Sequence, residues 1–279
     1  MRTTWATAAD GTRLAVHHIE GDGTLVVGVH ATGFCGPVLG PLARRDPAGA
    51  PWALPDLRAH GLSGAPPLDE LRWADLATDV LAVVEAGGSS RPSRVVGFGH
   101  SAGGAALALA EARRPGTFAA LYLYEPVLWP DLAAARPRAA RLAEGARRRR
   151  ATFADRPTAR ARFAARQPLA RFHPEALDAY LAGGFEPGED GGIRLRCRPE
   201  AEAALYEQGA VEDSFHCLAA VACPVTVAAG GRSLVALGRA QVAALPGGRL
   251  EVHDELGHFG PMVAPGVVAE AFRAAVGSA

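Results

Sequence analysis

Gly99-His100-Ser101-Ala102-Gly103 sets a serine between small residues, directly after the apolar run Val95 to Phe98 and directly before a helical pattern. A chain that turns sharply from strand into helix there holds the serine in a strained, exposed conformation, the geometry of a nucleophile elbow. The hydroxyl of Ser101 then stands at a helix N-terminus, where free N–H groups and the helix dipole favour negative charge. Glycine at 99 and 103 lets neighbouring backbone pass close by. His30-Ala31-Thr32-Gly33-Phe34 follows a second buried run, and its small residues can aim backbone N–H groups at the space above Ser101. An oxyanion on an attacked carbonyl needs two such donors about 3 Å away. The N–H of Ala102 supplies one; that of Thr32 is taken for the other, with Gly33 and Phe34 as alternatives. Leu256-Gly257-His258-Phe259-Gly260 adds an imidazole on a glycine-flanked loop after the last apolar run. Together these residue types point to acyl transfer through a serine.

A competing motif overlaps the serine. Gly97-Phe98-Gly99-His100-Ser101-Ala102 fits the dinucleotide fingerprint G-x-G-x-x-A, and Glu125 closes the next strand roughly where a ribose-binding acid stands. That reading, an NAD(P)-dependent oxidoreductase, leaves the 30–34 turn, the 56–63 loop and His258 without a purpose. The fingerprint also usually sits on the first strand of its fold.

The elements that must position these residues alternate. Leu14 to Ile19 alternates in polarity and precedes Gly21-Asp22-Gly23, a hairpin signal. Leu25 to His30, Val95 to Phe98, Phe118 to Tyr124 and Val225 to Ala229 are near-continuous apolar runs, expected of strands covered on both faces. Trp52 to Pro55 and Leu250 to His253 are shorter strand candidates. Helical spacing is found over Leu71 to Val84, Ala102 to Arg113, Val235 to Leu245 and Val267 to Val276. The alternation predicts an α/β fold with a doubly wound, mostly parallel sheet. From about Val127 to His216 the rhythm breaks into Arg-rich helical patterns (136–152, 158–165, 174–182) and an extended piece at 193–197. The expected organisation is therefore a core of residues 1–126 and 217–279 with a helical lid at 127–216.

Composition narrows the partners. Lys+Arg and Asp+Glu both number 29, for zero net charge, which argues against a nucleic-acid binder and a polybasic membrane binder. Every basic residue is arginine and asparagine is absent, a coding bias that weakens Arg-richness as evidence for phosphate binding. Arg147 to Arg150 accordingly reads as a solvated helix face. The N-terminal residues lack the apolar stretch of a signal peptide, and the apolar run 118–129 is too short to span a bilayer. Cys35, Cys197, Cys217 and Cys223 are scattered without a CxxC pair, so a reduced, cytoplasmic protein is expected. His216 beside Cys217 lacks metal-ligand spacing; no metal and no cofactor are expected, and the partner is a small-molecule substrate.

The succession HATGF, Asp56-Leu57-Arg58-Ala59-His60-Gly61-Leu62-Ser63, GHSAG and LGHF resembles the α/β-hydrolase superfamily, in its lid-bearing esterase, haloperoxidase and meta-cleavage-product hydrolase branch. The resemblance covers about 10–126 and 217–279 and implies eight strands, Ser101 as nucleophile, His258 as general base, and the N–H groups of Thr32 and Ala102 as oxyanion donors. It also implies an acid, usually an Asp after the strand matching Val225 to Ala229. Ser233 stands there instead, in Gly230-Gly231-Arg232-Ser233, and cannot carry the charge. Glu125 ends the preceding strand on the same edge and is taken as the acid, with Asp254 and Glu255 as fallbacks. The implied activity is hydrolysis of an ester, thioester or activated C–C bond through an acyl-enzyme. A non-catalytic ligand-binding protein on this fold is the alternative that the missing Asp leaves. The lid aromatics Trp129, Phe153, Phe163, Phe172, Tyr180 and Phe185 are candidates for a mixed pocket or for lid core.

Overall fold

A computed structural model describes residues 1–86 and 94–277. The strands are β1 (Arg2–Thr7), β2 (Arg13–Ile19), β3 (Leu25–Val29), β4 (Trp52–Pro55), β5 (Val95–His100), β6 (Ala120–Tyr124), β7 (Thr152–Phe153), β8 (Phe185–Pro187), β9 (Ile193–Leu195), β10 (Val225–Gly230) and β11 (Gly248–His253). Eight of them form one sheet in the order β1-β2-β4-β3-β5-β6-β10-β11. β1 and β4 run antiparallel to β2. Every pairing from β4 to β11 is parallel.

The helices are α1 (Gly40–Ala43), α2 (Asp75–Glu85), α3 (Ala102–Arg113), α4 (Leu132–Arg147), α5 (Arg156–Ala164), α6 (Pro174–Gly183), α7 (Pro199–Gln208), α8 (Val235–Ala244), α9 (Gly260–Val263) and α10 (Pro265–Val276). Successive strand residues point to opposite faces, so each central strand feeds two apolar layers. Val27, Val95, Leu121, Leu123 and Val227 join α2 and α3 on one face. Val26, Phe98, Tyr122, Tyr124 and Ala228 join α1 and α10 on the other. Burial on both faces explains why β3, β5, β6 and β10 read as unbroken apolar runs rather than as alternating ones.

Two expectations need correction, and two elements were not anticipated. The Gly21-Asp22-Gly23 turn makes no hairpin: β4 lies between β2 and β3, and Asp22 N–H donates instead to Gly49 O at 3.1 Å on the approach to β4. The hairpin lies earlier, β1 to β2, where Gly11 adopts φ 84° and Ala8 N–H donates to Thr12 O at 2.9 Å. β1 itself, polar and mostly exposed, carried no apolar signal. In the segment between β6 and β10, α4 starts at Leu132 rather than near Arg136, because Asp131 caps it by accepting from Ala134 N–H at 3.1 Å; Pro137 lies inside the helix. α7 was not anticipated, although Pro199 at its first position and Glu200 and Glu202 in its first turn are start signals.

None of the strands between β6 and β10 joins the main sheet. β7, β9 and β8 form a small antiparallel sheet of their own. α4 packs along α7. Among the described residues no helix is long and apolar enough to cross a membrane.

Candidate active site

Ser101 separates β5 from α3 with φ 55° and ψ −115°, a left-handed conformation that a non-glycine residue holds only when its surroundings impose it. The impositions are identifiable. Ser101 N–H donates to Tyr124 O at 3.0 Å, and Ser101 O accepts from Ala105 N–H at 3.1 Å. A Cβ on Gly103 would lie 2.2 Å from Val29 O, and one on Gly99 would lie 2.5 Å from the Cα of Gly104. Only glycine at these two positions lets helix and strand approach closely enough to form the elbow.

Glu125 follows β6 with φ 46° and is 2 % exposed. Its Oε2 accepts from His258 Nδ1 at 2.6 Å and from the Ser233 hydroxyl at 2.8 Å. Its Oε1 accepts from the N–H groups of Gly230 at 2.9 Å and Leu234 at 3.2 Å. Burial alone would push this carboxyl up. The His258 contact, the Ser233 hydroxyl and the Gly230 amide outweigh it and hold the group below its ordinary value. Ser233 thus stands at the position where an acid was expected and hydrogen-bonds the Glu125 carboxylate. Asp254 and Glu255 are exposed, and Glu255 pairs with Arg232 at 3.0 Å.

The loop bearing His258 is tied to the strands that carry the other two residues. His100, next to Ser101, donates from Nε2 to His258 O at 2.8 Å, and its ring centroid lies 4.9 Å from that of His258. Tyr124, next to Glu125, donates from its hydroxyl to Gly257 O at 2.9 Å. Burial and the neighbouring His258 keep His100 neutral by lowering its pKa far below the usual imidazole value. With His258 Nδ1 committed to Glu125, Nε2 is its remaining ring nitrogen.

Ser101, His258 and Thr32 line one cavity of about 180 Å³. Ala102 N–H is the first amide of α3 and has no intrahelical acceptor. In the 30–34 turn, Gly33 N–H donates to His60 Nε2 at 2.8 Å and Phe34 N–H to Ala31 O at 3.3 Å, so both alternative donors are occupied. Thr32 N–H makes no hydrogen bond among the described residues. Gly33, at φ 83°, faces the Glu202 carboxylate of α7, which a Cβ would approach to 2.5 Å.

The 56–63 loop braces this turn from below. Asp56 accepts from Gly36 N–H at 2.7 Å, Leu62 N–H at 2.8 Å and His17 Nε2 at 2.9 Å. Leu57 N–H donates to His30 Nε2 at 3.0 Å, and His30 Nδ1–H donates to Ala31 O at 2.8 Å. Arg58, 1 % exposed, is held by Asp79 at 2.6 and 2.7 Å and by Asp75 at 2.9 Å.

The cavity walls differ from the expected set. Of the six aromatics expected to belong to a lid, Trp129 lines the cavity; Phe153, Phe163, Phe172, Tyr180 and Phe185 belong instead to the apolar layer that α1 and α10 share. Phe34, Trp73, Leu205, Tyr206 and Phe259 supply much of the remaining bulk, and Arg138 of α4 is a charged lining residue. The four-arginine run is not uniformly solvated either: the Arg149 side chain is 20 % exposed and bonds Glu202 at 2.5 Å and the Tyr180 hydroxyl. Among the described residues no cluster of His, Cys, Asp and Glu is arranged to hold a metal. Glu125, engaged by four donors, is not free to bind a ribose.

The profile of the alpha/beta hydrolase family matches residues 25–271. No curated protein sequence matches the chain. Among solved structures, E-2-(acetamidomethylene)succinate hydrolase superposes with a TM-score of 0.83 at 22% identity, over 99% of both chains. A thermophilic esterase from Thermogutta terrifontis, with malate bound, gives 0.73 at 22% identity over 98% of this chain and 97% of that one. N-formylmaleamic acid deformylase from Pseudomonas putida gives 0.71 at 18% identity over 99% and 100%. At such identities the superpositions establish a shared fold, and with the profile spanning most of the sequence the chain belongs to the alpha/beta hydrolase family.

Proposed function

We propose that the protein is a serine hydrolase that cleaves an ester, thioester or activated C–C bond of a small organic substrate through an acyl-enzyme. The observation that carries the reading is the 2.6 Å contact between His258 Nδ1 and Glu125 Oε2, beside a serine on a strained elbow that lines the same cavity as His258. Ser101 Oγ attacks the carbonyl carbon while His258 Nε2 takes its proton. Thr32 N–H and Ala102 N–H hold the oxyanion, each worth roughly 10²–10³ in rate. His258 then protonates the leaving group, and a water activated by the same nitrogen releases the acid. Glu125 fixes the Nδ1–H tautomer and stabilises the imidazolium. The four cysteines, all free and three of them buried, fit a reducing cytoplasmic setting.

The test is activity-based labelling. A fluorophosphonate labels the wild type and not Ser101→Ala; labelling that survives the substitution sinks the reading. Glu125→Gln keeps the fold and lowers kcat on a reactive ester by about 10⁴, the handicap of losing tautomer control in a serine protease. An unchanged kcat removes Glu125 from the mechanism, and ligand binding without turnover favours a non-catalytic binding protein.

A further inference from the structure

We infer that the substrate carries a carboxylate, distinct from the carbonyl that reacts, and that Arg138 takes it up. The inference rests on the acyl-transfer reading above. It starts from the face that α4 turns to the cavity: Ala135, Arg138, Ala139 and Leu142 all line it, at positions i, i+3, i+4 and i+7 of one helical stripe. Three of the four are small or apolar. The fourth is a guanidinium.

The surroundings of that guanidinium decide its role. Beside His258, Arg138 is the charged residue of the lining, and no carboxylate of the described residues lines the cavity with it. Three arginines at the end of α4 and just beyond are neutralised: Arg147 by Glu207 at 2.8 Å, Arg148 by Glu144 at 2.6 Å and Arg149 by Glu202 at 2.5 Å; Arg150 donates to Thr152 O at 2.8 Å, away from the cavity. Arg138 has no ion pair among the described residues. Arg136 and Arg141, exposed like Arg138, also lack one, but they do not line the cavity. The bulky residues that line the cavity with Arg138 are Phe34, Trp73, Trp129, Leu205, Tyr206 and Phe259, none of which offers a counter-charge.

A guanidinium presents a planar fork that matches a carboxylate in two parallel hydrogen bonds. One such fork balances one negative charge. A phosphate dianion would leave charge uncompensated against apolar walls, which disfavours that alternative. The ligand chemistry that fits is a small monoanion: an apolar body, a carbonyl at Ser101 and a carboxylate at Arg138. Because Arg138 is exposed, its contribution is screened by salt.

Two matched probe pairs test this. On the acyl side, 4-nitrophenyl hydrogen adipate is compared with its methyl-capped neutral counterpart; on the leaving-group side, 4-carboxyphenyl acetate is compared with its methyl ester. In at least one pair the wild type favours the acid by about tenfold in kcat/KM at low salt, one charge-assisted contact's worth. Arg138→Gln brings that ratio to about one, Arg138→Glu inverts it, and salt near 1 M compresses it. A wild-type ratio at or below one in both pairs overturns the inference, as does a ratio that neither substitution moves. Calorimetry on Ser101→Ala gives a readout without turnover: the favoured acid binds more tightly than its neutral counterpart, and Arg138→Gln in the same background abolishes the difference. Equal binding of acid and neutral forms there overturns the inference even if no probe is cleaved. Cleavage of the neutral esters with no preference for the acids leaves the serine mechanism standing and removes only the carboxylate.

Discussion

One oxygen of Glu125 accepts two donors, His258 Nδ1–H and the Ser233 hydroxyl, while the other accepts two backbone amides. This carboxylate is therefore held by the chain on both sides of β10's end, and among the described residues Ser233 supplies the only side-chain donor besides the imidazole. Removing that hydroxyl with Ser233→Ala takes a hydrogen bond from the charged form, so the carboxyl rises toward its ordinary value. The expected outcome is an acid limb of the kcat/KM profile displaced to higher pH, with kcat at neutral pH reduced several-fold. Superimposable pH profiles would show that Ser233 is a bystander. At this scale the sequence spoke clearly where chemistry needs a local signature: GHSAG and LGHF are short and their neighbours constrain them. Ser233 read only as an absence, since its value depends on a carboxylate 108 residues away that a linear motif does not pair with it. Arg149 misled for a similar reason: four successive arginines look alike until α7 brings Glu202 to one of them.

The 30–34 turn and the 56–63 loop act as one element, joined by imidazoles. His60 Nδ1–H donates to Arg58 O at 2.9 Å and its Nε2 accepts from Gly33 N–H at 2.8 Å, a division of roles that requires the neutral ring. Burial, opposed by its carbonyl partner, depresses the His60 pKa and secures that state. Replacing His60 by Leu leaves Gly33 N–H buried without an acceptor, at a cost of about 1–3 kcal/mol, and frees the turn that aims Thr32 N–H. The expected result is a drop in kcat of about 10–10² with little change in KM. Gln, whose amide oxygen can accept from Gly33, restores part of it. Equal losses for Leu and Gln would mean the effect is packing alone. The strands that frame this element were legible because burial on two faces leaves a continuous apolar run. β1 and α7 were not. One is an exposed edge strand and the other a short helix whose apolar residues follow no clean stripe, so neither advertises its period.

Across the whole molecule the βα alternation was enough to predict a parallel sheet, but not its strand order: nothing local says that β4 slots between β2 and β3. Nor does anything local reveal how many imidazoles the fold buries. His30, His60 and His100 are all fully buried. Burial lowers all three pKa values, His30 from 6.5 to about 3, with the charge of a neighbouring histidine adding to the effect at His30 and His100. The unfolded chain protonates each ring near 6.5, whereas the folded chain resists until far lower pH. Between those limits the unfolded state binds more protons, so stability rises with pH and is lost as pH falls. The contribution is fully present above about 6.5, and each ring removes up to about 1.4 kcal/mol per pH unit below it. Glu125 and Asp56, whose carboxyls are lowered by their partners, act in the same direction but only below the ordinary carboxylate range. Asp79, raised by burial despite Arg58, acts in the opposite direction, from its ordinary value upward. The three buried rings, all acting one way, dominate the window from about pH 6.5 to 4.5. Urea unfolding across it should show a steep loss of free energy at nearly constant m-value, shallower in His60→Gln, which has one titrating ring fewer. A flat stability over that window would mean that the rings are hydrated or protonated in the folded protein, and that the brace of the 30–34 turn is not built as described.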